Sequence, residues 1–245
     1  MQMTNINIQA ILFDLDGTLL GNDMVNGFLP HYFQALGARL AHLVPPQHLI
    51  ASILAASEAM SANEGPLTNA EVFAADFYPR VRVERTQLEP HLEAFYIEDF
   101  PQLHHYTQRK PAARQAVQTA FDLGYTVVIA TNPLFPAAAV QQRLLWADVA
   151  DFDYRHITTY ENSRAAKPNL RYYADICNGI GIPPEACLMV GDEAMDLVAA
   201  HLGCRTFLIP SPTTTLTEDI PAPTYQGTLE DLCTLLPTLS RTPSN

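Results

Sequence analysis

Ala10-Ile11-Leu12-Phe13-Asp14-Leu15-Asp16-Gly17-Thr18 begins as an unbroken apolar run and ends in two carboxylates and a glycine. Continuous apolarity, without the alternation of a half-exposed strand, predicts a strand covered on both faces in a parallel sheet. Similar runs recur at Thr126 to Ala130, Cys187 to Val190 and Thr206 to Ile209, and Arg155 to Thr158 is a weaker fifth candidate. Helix-like stretches separate them: Pro111 to Leu123, Ala137 to Leu145, Asn169 to Ile180 and Ala194 to Leu202 carry apolar residues at helical spacing. Pro111 suits a first helical turn, and Gly124 and Gly203 stand where two of these helices should stop. Strands alternating with helices predict a doubly wound α/β domain built on a parallel sheet.

From about Gly21 to about Tyr106 the rhythm changes. Val25 to Leu43, Gln47 to Met60, Asn69 to Val81 and Glu84 to Phe95 are helix-like, and no strand-like run interrupts them. The expected division is an α/β core over residues 1–20 and 107–245, with an all-helical domain over 21–106 inserted after the first strand. Beyond Pro210 the chain is rich in Pro and Thr, then offers a short helix near Leu229 to Leu236 and an end expected to fray.

A length of 245 residues allows one substantial core with a smaller satellite. A net charge of −12 argues against a nucleic-acid scaffold, which needs clustered cations. It does not argue against a small anionic substrate, because a bound metal and a few local cations can reverse the local field. Cys177, Cys187, Cys204 and Cys233 lack metal-site spacing and read as reduced core thiols. No signal peptide is evident, and no apolar run approaches the roughly 18 residues of a membrane span. A cytoplasmic monomer or homodimer that binds neither membrane nor nucleic acid is the expectation.

Ligands of open parallel sheets gather at the carboxyl ends of the strands. The first strand delivers Asp14 and Asp16, the second Thr131 and Asn132, and a later one Gly191-Asp192-Glu193 with Asp196 four residues on. Two aspartates at i and i+2 share a face and repel unless a cation or a proton lies between them. Thr131 is either a phosphate ligand, through its hydroxyl and N–H, or an ordinary strand-terminal residue. Lys167 is one of only two lysines, with Lys110, and precedes Pro168 at a loop-to-helix junction, which favours a functional role. Asp192 could complete an oxygen shell for Mg²⁺, while Asp196 could reach the same rim or orient Lys167.

Phe13-Asp14-Leu15-Asp16-Gly17-Thr18-Leu19 resembles the first motif of the haloacid dehalogenase-like superfamily. Thr131-Asn132 is similar to its second motif, Lys167-Pro168 to its third, and Gly191 to Asp196 to its acidic fourth. The resemblance covers roughly residues 6–20 and 110–215, and the insert resembles a C1-type cap in position and character. It implies a Rossmann-like core and a phosphatase that acts on a small phosphorylated metabolite. Asp14 would be the nucleophile forming an aspartyl-phosphate, and Asp16 the general acid and base. Mg²⁺ would be held by Asp14, the Asp16 backbone carbonyl and Asp192. Thr131, Asn132 and Lys167 would hold phosphoryl oxygens, with Asp196 and Glu193 in support.

Asp16 argues against dehalogenation, since dehalogenases of this family do not keep a second aspartate. A lysine-free insert argues against a phosphonatase, which takes a Schiff-base lysine from there. A sugar phosphomutase of the same fold stays open, as does a non-catalytic binding protein, although all four motifs are intact. Glu193 departs from the small or hydroxyl residue common at its position. Arg80, Arg82 and Arg85 either read an anionic leaving group or form a solvated face, and His104-His105 read as surface histidines.

Overall fold

The computed structural model describes residues 7–212 and 214–239. In chain order the elements are β1 (Ala10–Phe13), β2 (Leu20–Gly21), α1 (Leu29–Leu40), α2 (Pro46–Ser61), α3 (Asn69–Val81), α4 (Arg85–Ala94) and β3 (Gln108–Arg109). Then follow α5 (Pro111–Asp122), β4 (Thr126–Ile129), α6 (Ala137–Trp146), β5 (His156–Ile157), α7 (Leu170–Ile180) and β6 (Cys187–Gly191). The chain closes with α8 (Ala194–Leu197), β7 (Arg205–Leu208), β8 (Tyr225–Gln226) and α9 (Leu229–Leu239).

Every residue of β1 is buried, and the pleat explains how. Ile11 and Phe13 face one apolar cluster with Val127, Ile129, Leu188 and Val190, covered by α5, α6 and α9. Ala10 and Leu12 face the other, with Val128, Cys187 and Met189, covered by α7. Both sheet faces are thus roofed by helices, as the unbroken apolar runs require. The strand order is β5-β4-β1-β6-β7-β8, and every pairing in this sheet is parallel. The chain leaves β1 towards β4 on one side and later returns to β6 on the other. That reversal opens a crevice at the carboxyl end of β1, the place where ligands bind in such sheets.

Helices α1 to α4 lie between β2 and β3 and bury their own apolar cluster, including Phe28, Leu36, Leu49, Phe77, Phe95 and Phe100. α3 starts on a Thr68–Glu71 capping box and stops where Arg82 adopts a left-handed conformation. Three short strands have no counterpart in the sequence reading. β2 and β3 form an antiparallel pair where the insert leaves and rejoins the core, and β8 adds an edge to the main sheet. Two-residue strands are too short to carry a periodicity. The stretch expected as one helix from Ala194 to Leu202 is α8 followed by a tighter 3₁₀ segment, Val198–Leu202. The expected fraying after residue 239 and the amino-terminal reading over residues 1–6 lie outside the described residues.

Asn69 ties the insert to the core. It is fully buried, and its Nδ2 donates to the carbonyls of Pro133 at 3.1 Å and Ala165 at 3.2 Å. Those carbonyls belong to the loops that carry Thr131 and Lys167. Its backbone N–H donates to Ser163 at 2.7 Å, and its Oδ1 accepts from Asn63 at 2.9 Å. Replacing Asn69 by Ala strands two buried carbonyls and should lower stability by about 2–4 kcal/mol, read from the urea midpoint. An unchanged midpoint would mean that water replaces the amide.

Candidate active site

Three strand ends converge in the crevice: Asp14 directly after β1, Thr131 two residues after β4, and Asp192 directly after β6. Gly17 and Gly191 make that convergence possible. Gly17 has φ +83°, and a Cβ there would overlap the Asp192 carboxylate. A Cβ on Gly191 would overlap Asp196. The backbone comes this close only because neither residue has a side chain.

Lys167 sits between two carboxylates, with Nζ 2.7 Å from Asp14 Oδ1 and 2.6 Å from Asp196 Oδ1. Burial works against its charge, but Asp14 and Asp196 outweigh that and hold the ammonium well above the usual lysine range. Asn132 Oδ1 accepts from the Lys167 N–H at 3.2 Å, so the second and third motifs brace each other. The Thr131 carbonyl is pinned by Thr158 Oγ1 at 2.7 Å and by the Tyr172 hydroxyl at 2.8 Å. Thr18 donates to Asp192 Oδ1 at 3.1 Å. Asp196 does the second of the two jobs considered for it, orienting Lys167, and also accepts from the Glu193 N–H at 3.1 Å. Glu193 itself is exposed beside the crevice.

Carboxylate oxygens of Asp14, Asp192 and Asp196 lie within 4.8 Å of one another, and all three residues are buried. Lys167 answers Asp14 and Asp196, which leaves Asp192 to be neutralised by something else. Burial, then the charges of Asp14 and Asp196, push its carboxyl up to about 8. A crowded all-oxygen donor set with an excess of negative charge suits a hard divalent cation. The Asp16 side chain lies outside this cluster, so any share it takes in a metal site falls to its backbone carbonyl.

Two residues missed in the sequence belong here. Arg143, on α6, is 1% exposed and forms an ion pair with Asp16 Oδ2, while Asn22 Nδ2 donates to Asp16 Oδ1 at 2.9 Å. Its guanidinium lies 4.6 Å from the Phe135 ring centroid, and its Nη2 has no hydrogen-bond partner. That nitrogen is a buried donor available to an oxygen atom of a ligand. Burial raises the Asp16 carboxyl, and Arg143 pulls it only part of the way back. The available signal was a charge on the inward stripe of α6, beside Ala139, Val140 and Leu144. Lys110, the other lysine, donates to the Gly17 carbonyl and ties the start of α5 to the aspartate loop.

A model of haloacid dehalogenase-like hydrolases matches residues 8–202. The chain belongs to that family. A phosphoglycolate phosphatase of Haemophilus influenzae is 26% identical over 206 residues, 82% of this chain and 84% of that protein. Among solved structures, a dehalogenase aligns with a TM-score of 0.58 at 20% identity, covering 96% of this chain and 98% of its own. A phosphatase of the family from Thermococcus onnurineus aligns at 0.57 and 20% identity, covering 94% and 98%. These two structures establish the shared fold, and the family makes the chain a hydrolase. Among the described residues, no helix is long and apolar enough to cross a membrane.

Because the Asp192 carboxyl is raised in the fold, the folded state holds that proton more tightly than the unfolded chain does. The stability this contributes is present below pH ~4 and lost as pH rises to about 8. In EDTA the Tm should therefore fall between pH ~5 and pH ~8, and Asp192→Asn should flatten the fall. Parallel melting curves of the two proteins would sink the assignment. With Asp16 in the proton-donor role that the family resemblance implies, Arg143→Met should lower turnover about tenfold or more and displace a limb of the pH–kcat profile to higher pH. Arg143→Lys should displace it less.

Proposed function

We propose that this hydrolase is a Mg²⁺-dependent phosphatase that cleaves phosphate monoesters of a small metabolite through an aspartyl-phosphate on Asp14. The observation that carries this reading is Asp16: a second carboxyl on the Asp14 loop, raised by burial and fixed in place by Arg143 and Asn22. Attack on carbon by a lone aspartate needs no such group. Phosphate ester cleavage needs one, because the leaving alkoxide must be protonated.

Asp14 attacks phosphorus in line, forming the Asp14 O–P bond as the P–O bond to the alcohol breaks. Asp16 gives its proton to the departing oxygen and then takes one from the attacking water. That water forms the new P–O bond, inorganic phosphate leaves, and the Asp14 carboxylate is restored. Lys167 fixes one Asp14 oxygen and leaves the other to attack. Thr131, Asn132 and Lys167 face the phosphoryl oxygens and offset their charge as the transition state spreads it. Asp14, the Asp16 carbonyl and Asp192 would hold Mg²⁺, which supplies positive charge between carboxylate and phosphate dianion. The helical insert serves as the cap that confines the site to compact substrates.

Asp14→Asn should reduce turnover by at least ~10³-fold without loss of fold, measured as Mg²⁺-dependent phosphate release. Wild-type activity in this variant would remove the nucleophile assignment. Free phosphate should equal substrate consumed, and isomerisation without phosphate release would favour a mutase.

A further inference from the structure

The side chains above the aspartates bear on what the phosphate is attached to. A cavity of about 620 Å³ opens over the catalytic carboxyls, with Asp14, Asp16 and Thr131 at its floor. That volume lies within the range of pockets that enclose whole drug-sized ligands, roughly 300–1,000 Å³. It is far more than one phosphoryl group fills. Its upper wall comes mostly from the insert and is aromatic and aliphatic: Phe33, Leu36, Phe73, Phe77, Leu92 and Tyr96 are among the lining residues.

Three further lining residues are the exposed apolar side chains Val25 (69%), Leu54 (48%) and Ile97 (74%). Singly exposed apolar residues are ordinary, but three gathered on the rim of one apolar cavity suit a ligand that covers them.

Charge points the same way. Among the described residues that line the cavity, Arg143 is the one basic residue, and its charge is answered by Asp16. Glu93, Glu161 and Glu193 line the wall as well, with Glu89 offset by Arg85, so the field above the phosphate is negative. Among the described residues lining the cavity there is no insert arginine, and three of the insert arginines are already paired with carboxylates. Arg39 pairs with Glu98 and Asp99, Arg80 with Asp76 and Arg85 with Glu89, each at 2.5 Å, and Arg82 does not line the cavity. The Tyr32 and Tyr96 hydroxyls bond each other at 3.0 Å.

We propose that the substrate is the phosphate monoester of an uncharged, predominantly apolar alcohol, aryl or medium-chain alkyl. The phosphate meets Asp14, and the hydrocarbon fills the cavity under the insert. This rests on the phosphatase reading and narrows it. A carboxylate or a second phosphate on the leaving group finds, among the described lining residues, only Arg143, whose charge Asp16 already answers, and meets Glu93, Glu161 and Glu193. Phosphoglycolate, the compound named for the Haemophilus relative, carries such a carboxylate.

The test is a chain-length series. Phosphate release is measured with Mg²⁺ on n-alkyl phosphates from ethyl to hexyl, phenyl phosphate and phosphoglycolate. Calorimetry in parallel compares binding of the non-hydrolysable hexylphosphonate and methylphosphonate. KM should fall about threefold to fourfold per methylene, and hexylphosphonate should bind at least ~30-fold more tightly than methylphosphonate. Ile97→Lys should raise KM for hexyl phosphate about fivefold and improve phosphoglycolate relative to it. A flat series, or phosphoglycolate as the preferred ester, overturns the leaving-group assignment while leaving a phosphatase. Equal binding of the two phosphonates overturns it whatever the turnover. Tight hexylphosphonate binding with no hydrolysis of any ester supports the cavity assignment and removes the phosphatase reading instead.

Discussion

Lys167 brings one positive charge almost wholly out of water, between Asp14 and Asp196, and the rest of the site is arranged around it. A buried ammonium is tolerable only when its partners are close and well aimed. Each partner comes from a different stretch of chain: the end of β1, the loop before α7 and the start of α8. The constraint therefore fixes three backbones relative to one another. Gly17 and Gly191 follow from it, since a side chain at either position would collide with a carboxylate of the cluster. So does the position of Asp192, which is crowded against Asp14 without a lysine of its own.

A second pairing is kept apart from the first. Arg143 answers Asp16 from α6, so the two aspartates of the loop have different counterions and different surroundings. Two carboxyl groups two residues apart in sequence can hold different protonation states only if their environments differ. Asn69, at the start of α3, reaches the loops of Thr131 and Lys167 with a single amide. The apolar insert and the polar floor are thereby built onto one frame, and the cavity between them is a product of both.

Much of this was legible beforehand. The apolar runs became strands where expected, because a doubly covered strand must be apolar on both faces. The insert helices kept their spacing, because each buries a stripe on its neighbours. Asp14, Thr131, Lys167 and Asp192 could be grouped because strand ends of a parallel sheet share one rim. The short strands β2, β3 and β8 could not be read, since two residues have no pattern. Arg143 was hidden in an apolar helix, and whether the insert arginines read an anion or form a solvated face stayed open until the carboxylate partners of Arg39, Arg80 and Arg85 were placed.

The residue order alone determined a parallel α/β core, a helical insert after the first strand, and which chemical groups stand at the strand ends. Those are local properties: periodicity, turn residues and covalent neighbours. Only the tertiary structure decided which charge answers which, because Asp16 and Arg143 are separated by 127 positions and Asp14 and Lys167 by 153. It also decided that the space above the aspartates is apolar and rimmed by glutamates. That follows from which helix faces turn inward, and no single helix determines this by itself.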